Sequence, residues 1–156
     1  MSENLVIVPT YNEIENIEAL IRAVFEQPVA FDLMVVDDGS PDGTGEKVKA
    51  LQEEFGGRLL LEERTEKSGL GTAYIYGFNK ALARNYQFIF EMDADFSHNP
   101  DDLVRLYKAC SEEGYDLAVG SRYVKGVNVV NWPMNRVLMS YFASIYVKFI
   151  TGMSIH

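Results

Sequence analysis

Apolar residues in the first 120 positions follow two alternating patterns, short runs and longer stretches with helical spacing. The short runs are rich in apolar residues and occupy positions 5–9, 32–36, 58–63, 87–92 and 116–120. Runs of this length that lack polar alternation are typical of strands buried on both faces. The pattern therefore predicts five strands in the interior of the protein.

Between these runs, apolar residues recur every three or four positions, which predicts helices with one buried face. The predicted buried faces are, in chain order, Ile14, Ile17, Leu20, Ile21, Val24 and Phe25; Val48, Leu51 and Phe55; Ile75, Phe78 and Leu82; Leu103, Leu106, Tyr107 and Cys110. Asn99 is the expected N-cap of the fourth helix, and a fifth helix is predicted over 134–151. Strands that alternate with helices predict an α/β fold, a mostly parallel sheet with helices on both faces.

The length of 156 residues and a hydrophobic content of 47% suit one globular domain with a sizeable core. Cys110 is the single cysteine, which excludes an intramolecular disulfide and a cysteine-rich zinc site. Its position on a predicted apolar helix face favours a buried, inert thiol, and a reducing cytosolic setting fits. The opening residues carry no basic segment, so no signal peptide is expected.

Charge is distributed unevenly along the chain. The net charge is −9, and all 23 acidic residues lie at or before Asp116. The first 116 residues hold 10 basic side chains and a net charge of −13, whereas the last forty carry +4. A basic, aromatic-rich end predicts contact with an anion such as a phosphate or a membrane surface.

Polar clusters follow three of the predicted strands. "PTYNE" (9–13) follows the first strand, "DDGSPDGT" (37–44) the second and "DADFSH" (93–98) the fourth. In open parallel sheets, ligands bind beyond the carboxyl ends of the strands. If the first and fourth strands are neighbours, the three clusters are expected to meet in one cleft.

Asp93 and Asp95 can aim two carboxylates at a common point, and no set of histidines and cysteines with zinc spacing accompanies them. Hard oxygen ligands favour Mg²⁺ or Mn²⁺, which would let an acidic cleft accept an anionic ligand. Such an ion would also act as a Lewis acid on a departing diphosphate. The alternative interpretation is a turn followed by a helix cap.

The other two clusters also allow two interpretations each. Asp37 and Asp38 can accept hydrogen bonds from a base or a ribose, or can form an Asp–Gly turn. Tyr11 can stack on a base and Glu13 can accept from a sugar hydroxyl, or the segment can start a helix capped by Thr10 or Asn12.

Other motifs argue against competing functions. "KSGLGT" (67–72) is either a phosphate cradle or an ordinary loop, but its spacing is not that of a P-loop. No G-x-G-x-x-G follows a strand, which disfavours a nicotinamide cofactor. No serine lies in a nucleophile-elbow sequence, so a hydrolase triad has no support.

Six motifs together resemble one family: "PTYNE", "VVDDGSPDGT", "GLGTAY", "DADFSHNP", "GSRYVKG" and "NWP…R". From residue 5 to about 140 the chain resembles the polyprenol (dolichyl) phosphate mannosyltransferases, within the family 2 glycosyltransferases of GT-A fold. The resemblance implies inverting, metal-dependent transfer of mannose from GDP-mannose to a polyprenyl (dolichyl) phosphate at the cytosolic membrane face. No nucleic-acid partner is expected.

The resemblance also implies a division of the single domain 1–156. Residues 1–122 would form the nucleotide-sugar-binding part, and 123–156 would begin the acceptor and membrane-facing part. Catalytic domains of the family continue further, so the resemblance implies a C-terminally truncated chain. The apolar segment 137–151 is expected to be an interfacial amphipathic helix, or else a core helix orphaned by truncation.

The family's residue roles carry over by motif. Asp95 and Arg122 would be catalytic, and Arg136 would face the acceptor phosphate. Asp93, Asp95 and Ser97 would hold Mg²⁺ or Mn²⁺, with Ser97 standing where some members have glutamine. The nucleotide-sugar site would comprise Pro9, Tyr11, Glu13, Val36, Asp37, Asp38, Asp93, Ala94, Asp95 and Arg122.

Two alternatives to this function remain open at the level of the sequence. One is a related transferase that uses UDP-glucose or another sugar nucleotide. The other is a nucleotide-binding remnant without turnover. The mannosyltransferase interpretation needs no protein base, because a phosphate acceptor is already anionic at neutral pH.

Overall fold

A computed structural model of the chain describes residues 2–65, 69–121 and 133–152, apart from the side chain of Arg136. Arg122 therefore lies outside the described residues. The chain divides into two compact units, 1–116 and 117–156.

Strands and helices alternate along the first unit, as predicted. The elements are β1 (Asn4–Thr10), α1 (Ile17–Phe25), β2 (Asp32–Asp37), α2 (Thr44–Phe55), β3 (Leu59–Glu63), α3 (Leu70–Ala83), β4 (Phe88–Glu91) and α4 (Asp102–Ser111). A short 3₁₀ turn, Gly56–Arg58, joins α2 to β3.

The four strands form one parallel sheet in the order β3-β2-β1-β4. β1 lies at the point where the strand order reverses, and Val6 pairs with Leu33 on one side and with Phe90 on the other. β1 and β4 are therefore neighbours, which is the condition for the three polar clusters to meet at one edge.

The sheet is buried on both faces because side chains of β1 and β2 alternate between two cores. Val6 and Val8 belong to a core with apolar residues of α1, α2 and α4. Leu5 and Ile7 belong to a second core on the opposite face, which includes Ala73 of α3. This arrangement confirms the predicted α/β class with helices on both faces.

The buried face of α3 differs from the prediction. Ile75 and Leu82 are 63% and 65% exposed, and the fully buried positions are small residues, Ala73, Gly77 and Ala81. A Cβ added at Gly77 would lie 2.7 Å from Cγ2 of Ile7. The helix thus approaches β1 more closely than large side chains would allow. Of the three residues predicted for its buried face, only Phe78 packs against the core, where it is partly buried.

Two predictions near the end of the first unit are also wrong. No strand forms over 116–120 in the described chain, and Leu117 and Val119 are both 77% exposed. A continuous apolar run forms a buried strand only where a neighbouring strand pairs with it. Cys110 is a free thiol that is half-buried rather than buried. The buried residue of α4 is Leu103.

The start of α4 is shifted relative to the prediction. The helix begins at Asp102 with Asp101 in the N-cap position, and Oδ1 of Asn99 accepts a hydrogen bond from the amide of Asp101 at 3.1 Å. Asn99 therefore caps the turn that precedes the helix.

The second unit contains α5 (Met134–Thr151), whose bounds match the predicted 134–151. Its apolar side chains, including Phe142 and Phe149, are largely exposed within the described chain. None of the helices that the structure describes has the length and apolarity needed to cross a membrane.

Candidate functional site

A cavity of about 270 Å³ opens at the carboxyl edge of the sheet, within the first unit. Its walls come from the ends of β1, β2 and β4 and from the start of α3. The lining residues are Pro9, Thr10, Tyr11, Glu13, Asp38, Leu70, Ala73, Asp93, Ala94 and Asp95. Seven of the predicted site residues therefore lie around one cavity, because parallel strands end at the same edge.

A larger, more open groove of about 470 Å³ lies beside it and shares Glu13. Its wall consists of the two loops 12–16 and 41–42. It contains neither Asp93 nor Asp95, so the smaller cavity is the stronger candidate for the chemistry.

Val36 and Asp37 do not line the cavity. Val36 is fully buried in the core, and the carboxylate of Asp37 is buried beneath the loops. Asp37 accepts hydrogen bonds from the Thr10 hydroxyl at 2.8 Å and from the amide and hydroxyl of Ser40 at 2.9 and 2.6 Å. Asp37, the last residue of β2, thus organises the turn, whereas Asp38 lines the cavity. The turn interpretation is confirmed for Asp37, and the binding interpretation of Asp38 stays a prediction.

The loop after β2 also fixes the loop after β1. Three consecutive backbone amides, those of residues 12–14, donate to Ser40 Oγ at 3.0 Å, Thr44 Oγ1 at 3.0 Å and Asp42 Oδ2 at 3.1 Å. Burial by itself would raise the pKa of Asp42, but hydrogen bonds from Thr44 and the amide of residue 14 lower it below its usual value. An ionised Asp42 therefore anchors the segment that carries Tyr11 and Glu13.

The helix-cap alternative for "PTYNE" is wrong. α1 begins at Ile17, its N-cap residue is Asn16, and no side chain caps its first turn. Asn12 adopts a positive φ of 62°, so the chain turns here before the helix starts.

Arg64 compensates the charge of Asp38. Its Nε lies 3.3 Å from Oδ1 of Asp38, and the two side chains are only 13% and 7% exposed. The Arg64 guanidinium also donates to the hydroxyl of Thr72 at 2.8 Å. Sequence reasoning missed Arg64, although it directly follows β3 at the same edge where Asp38 follows β2.

Asp93 is held by partners on two sides. Oδ1 of Asp93 accepts a hydrogen bond from the Tyr74 hydroxyl at 3.1 Å, and the amide of Asp93 donates to Nδ1 of His98 at 3.2 Å. Burial and the charge of Asp93 raise the pKa of Tyr74, so its hydroxyl stays protonated and can donate. Tyr74 belongs to the "GLGTAY" motif, and only the fold brings it to Asp93.

Asp95 forms a turn and lines the cavity at the same time. Its Oδ1 accepts from the amide of Ser97 at 2.9 Å, and this bond lowers the pKa of Asp95 below its usual value. Phe96 between them adopts a positive φ of 58°. Ser97 itself is exposed and does not line the cavity.

The pair Asp93 and Asp95 fits a hard divalent cation. The described residues contain no group of three or more histidines, cysteines and acids that could hold a metal by itself. Mg²⁺ is typically held by one or two carboxylates, with substrate phosphates and water as the other ligands. Two carboxylates on the wall of one cavity match that donor set.

A family model described as "Glycosyl transferase family 2" matches residues 5–154. Polyprenol monophosphomannose synthase of Mycolicibacterium smegmatis is 47% identical over 97% of the chain and 57% of its own length. Undecaprenyl-phosphate mannosyltransferase of Micrococcus luteus is 42% identical over 97% of the chain and 61% of its own length. The chain thus spans about three fifths of the length of these relatives.

A solved structure has a similar fold. Mannosyltransferase PcManGT from Pyrobaculum calidifontis, in complex with GDP-Man and Mn²⁺, superimposes with a TM-score of 0.57 at 31% identity. The similarity covers 70% of this chain and 32% of that one.

Proposed function

The chain belongs to glycosyltransferase family 2, with the GT-A type of fold, and from that premise we propose that it serves mannose transfer from GDP-mannose to a polyprenyl phosphate. The single observation that carries the proposal is the cavity that gathers Tyr11, Asp38, Asp93 and Asp95 at the switch point of the sheet. The donor and acceptor are those that the names of the relatives and of the structural neighbour indicate.

In this proposal, the loops after β1 and β2 bind the nucleoside. Tyr11 stacks on the base, Asp38 accepts hydrogen bonds from the base or the ribose, and Glu13 accepts from a sugar hydroxyl. The guanidinium of Arg64 compensates the charge of Asp38 in a nearly buried position, where an unpaired charge would be strongly unfavourable.

Asp93 and Asp95, on the wall of the cavity, would hold Mg²⁺ or Mn²⁺ for the donor diphosphate. Ser97, which is exposed and lies outside the cavity lining, is the third candidate ligand. The bound ion supplies Lewis-acid stabilisation of the departing diphosphate. Ala94, between the two acids in the chain, is buried and lines the same cavity. Arg122 and Arg136 are proposed to face the phosphates of the donor and of the lipid.

The chemical step is a single displacement. An oxygen of the acceptor phosphate forms a bond to the anomeric carbon while the bond from that carbon to the GDP oxygen breaks. The electron pair leaves with GDP, and the configuration at the carbon inverts. The acceptor carries no proton that must be removed, so no side chain acts as a base.

The proposal also includes contact between this protein and the cytosolic face of a membrane. The described part of α5 exposes apolar and aromatic side chains, and the segment after Asp116 carries +4. Both features favour a helix that lies at the interface of an anionic membrane, where the lipid acceptor is held.

Calorimetric titration with GDP and UDP, with and without Mn²⁺, tests the proposal. We expect tighter binding of GDP than of UDP, and a gain in GDP affinity of at least about tenfold when Mn²⁺ is present. Asp95→Ala should abolish that gain. Asp116→Ala, which removes an exposed acid outside the cavity, should keep it.

Three other outcomes would contradict the proposal in different ways. Undiminished Mn²⁺-dependent GDP affinity in Asp95→Ala would remove the metal assignment. Preference for UDP would favour a transferase with another donor. Donor binding without a lipid-linked product from radiolabelled GDP-mannose would indicate nucleotide binding without turnover in this chain.

A further inference from the structure

The hydroxyl of Tyr74 donates a hydrogen bond to Oδ1 of Asp93, a proposed metal ligand. We propose that this bond determines which divalent cation the site prefers. Tyr74 is assigned as a positioning residue that makes Asp93 a one-oxygen ligand and so favours Mg²⁺ and Mn²⁺ over Ca²⁺. This inference rests on the proposed function, because it requires a divalent cation at Asp93 and Asp95.

The position of the Tyr74 ring is set by α3 rather than by a flexible loop. Tyr74 is partly buried and packs against the core that contains Ile7 and Met34. The close approach of Gly77 to Ile7 fixes the distance of the helix from the sheet. The phenol hydroxyl therefore reaches Oδ1 of Asp93 from a rigid support, at 3.1 Å.

The second oxygen of Asp93 has a weaker contact. Oδ2 lies 3.9 Å from Nε2 of His98, which is too long for a hydrogen bond. Nδ1 of His98 accepts from the amide of Asp93, so a neutral ring carries its proton on Nε2. Oδ2 is thus the oxygen that Asp93 can give to a cation while Tyr74 keeps Oδ1.

The number of oxygens that a carboxylate offers discriminates between cations. Mg²⁺ requires a nearly ideal octahedron with short bonds, whereas Ca²⁺ accepts six to eight oxygens and readily takes both oxygens of one carboxylate. A hydrogen bond that retains Oδ1 of Asp93 therefore penalises the two-oxygen mode that Ca²⁺ uses. Without that bond, the carboxylate can rotate and offer both oxygens.

Tyr74→Phe removes the hydroxyl and keeps the ring, and α3 supplies a matched control two residues further on. The hydroxyl of Tyr76 donates to Oε2 of Glu62 at 3.0 Å, and neither residue lines the cavity. Tyr76→Phe therefore removes the same kind of bond, from a tyrosine to a carboxylate, at a site without a proposed cation.

The experiment measures GDP affinity by calorimetry in the presence of Mn²⁺, Mg²⁺ or Ca²⁺ for the wild type and both variants. We expect the ratio of GDP affinities in Mn²⁺ and Ca²⁺ to fall about fivefold to tenfold in Tyr74→Phe, which lies within the range for the net contribution of one ordinary hydrogen bond. Tyr76→Phe should keep the wild-type ratio. A merely structural role of Tyr74 would lower the thermal midpoint without changing this ratio.

An unchanged ratio in Tyr74→Phe, or an equal fall in both variants, would overturn the inference while the proposed function stands. If GDP binding by the wild type does not depend on a divalent cation, the proposed metal site fails and this inference fails with it. Direct Mn²⁺ binding, followed by electron paramagnetic resonance with and without GDP, provides a second measurement that does not depend on turnover.

Discussion

Gly77 sets the distance between α3 and the sheet, and Gly77→Ala tests how tightly that distance is fixed. The new Cβ would lie 2.7, 3.2 and 3.5 Å from Cγ2, Cδ1 and Cγ1 of Ile7. Ile7 is fully buried in the middle strand pair of the sheet and cannot move aside without disturbing β2 and β4. Either the helix or the strand must therefore shift.

The magnitude follows from two opposing terms. Alanine stabilises a helix interior by about 1 kcal/mol relative to glycine. Overpacking of a well-filled core costs about 1–3 kcal/mol. We therefore expect Gly77→Ala to lower the free energy of unfolding by roughly 0–2 kcal/mol, although the same substitution stabilises an open helix position.

Gly71 in the same helix supplies that open position. A Cβ there would meet nothing within 4 Å, so Gly71→Ala should stabilise the protein by up to about 1 kcal/mol. The difference in free energy of unfolding between the two variants reports the steric clash between the new Cβ at position 77 and Ile7. Urea unfolding followed by circular dichroism measures both values.

A second background makes the test sharper. Ile7→Ala removes all three atoms that the new Cβ would meet. In that background, Gly77→Ala is expected to become stabilising by about 1 kcal/mol, because only the helix propensity remains. The reasoning is refuted if Gly77→Ala stabilises the wild type as much as Gly71→Ala does, or if its effect is the same in both backgrounds.

Three further predictions follow from the polar contacts. Arg64→Met leaves Asp38 nearly buried without a compensating charge and should lower the free energy of unfolding by about 3 kcal/mol or more in urea titration. Asp42→Ala removes the anchor of the loop that carries Tyr11 and should lower GDP affinity, measured by calorimetry, with little change in Mn²⁺ dependence. Burial and a hydrogen bond to a buried aspartate raise the pKa of Tyr86 from 10.0 to about 12. The contribution of this neutral hydroxyl to the free energy of unfolding is therefore complete below pH 10 and is lost as the pH rises toward 12. Tyr86→Phe should weaken this alkaline loss of stability, measured by unfolding at a series of pH values.

The sequence by itself determined the architecture. Buried parallel strands need apolar residues on both faces, so the four runs that form β1–β4 stand out from the amphipathic helices between them. The bounds of α5 also followed from its apolar pattern. Topology alone placed the polar clusters at the carboxyl edge of the sheet, since all parallel strands end on the same side.

The sequence could not decide which interpretation of each polar residue applies. Asp37 and Asp38 are adjacent and chemically identical, yet one carboxylate is taken up by Thr10 and Ser40 and the other faces the cavity. The alternation of side chains at the end of β2 separates them, and that alternation depends on where pairing with β1 ends. A run of turn-forming residues carries no such register information.

Contacts between distant parts of the chain were decided by tertiary structure alone. Tyr74 meets Asp93 across 19 residues because α3 packs through Ala73 and Gly77 instead of its larger apolar residues. The run 116–120 has the composition of a strand but forms none in the described chain. Composition and spacing report what a segment can bury, whereas the distance between elements and the presence of a pairing neighbour determine what it does bury.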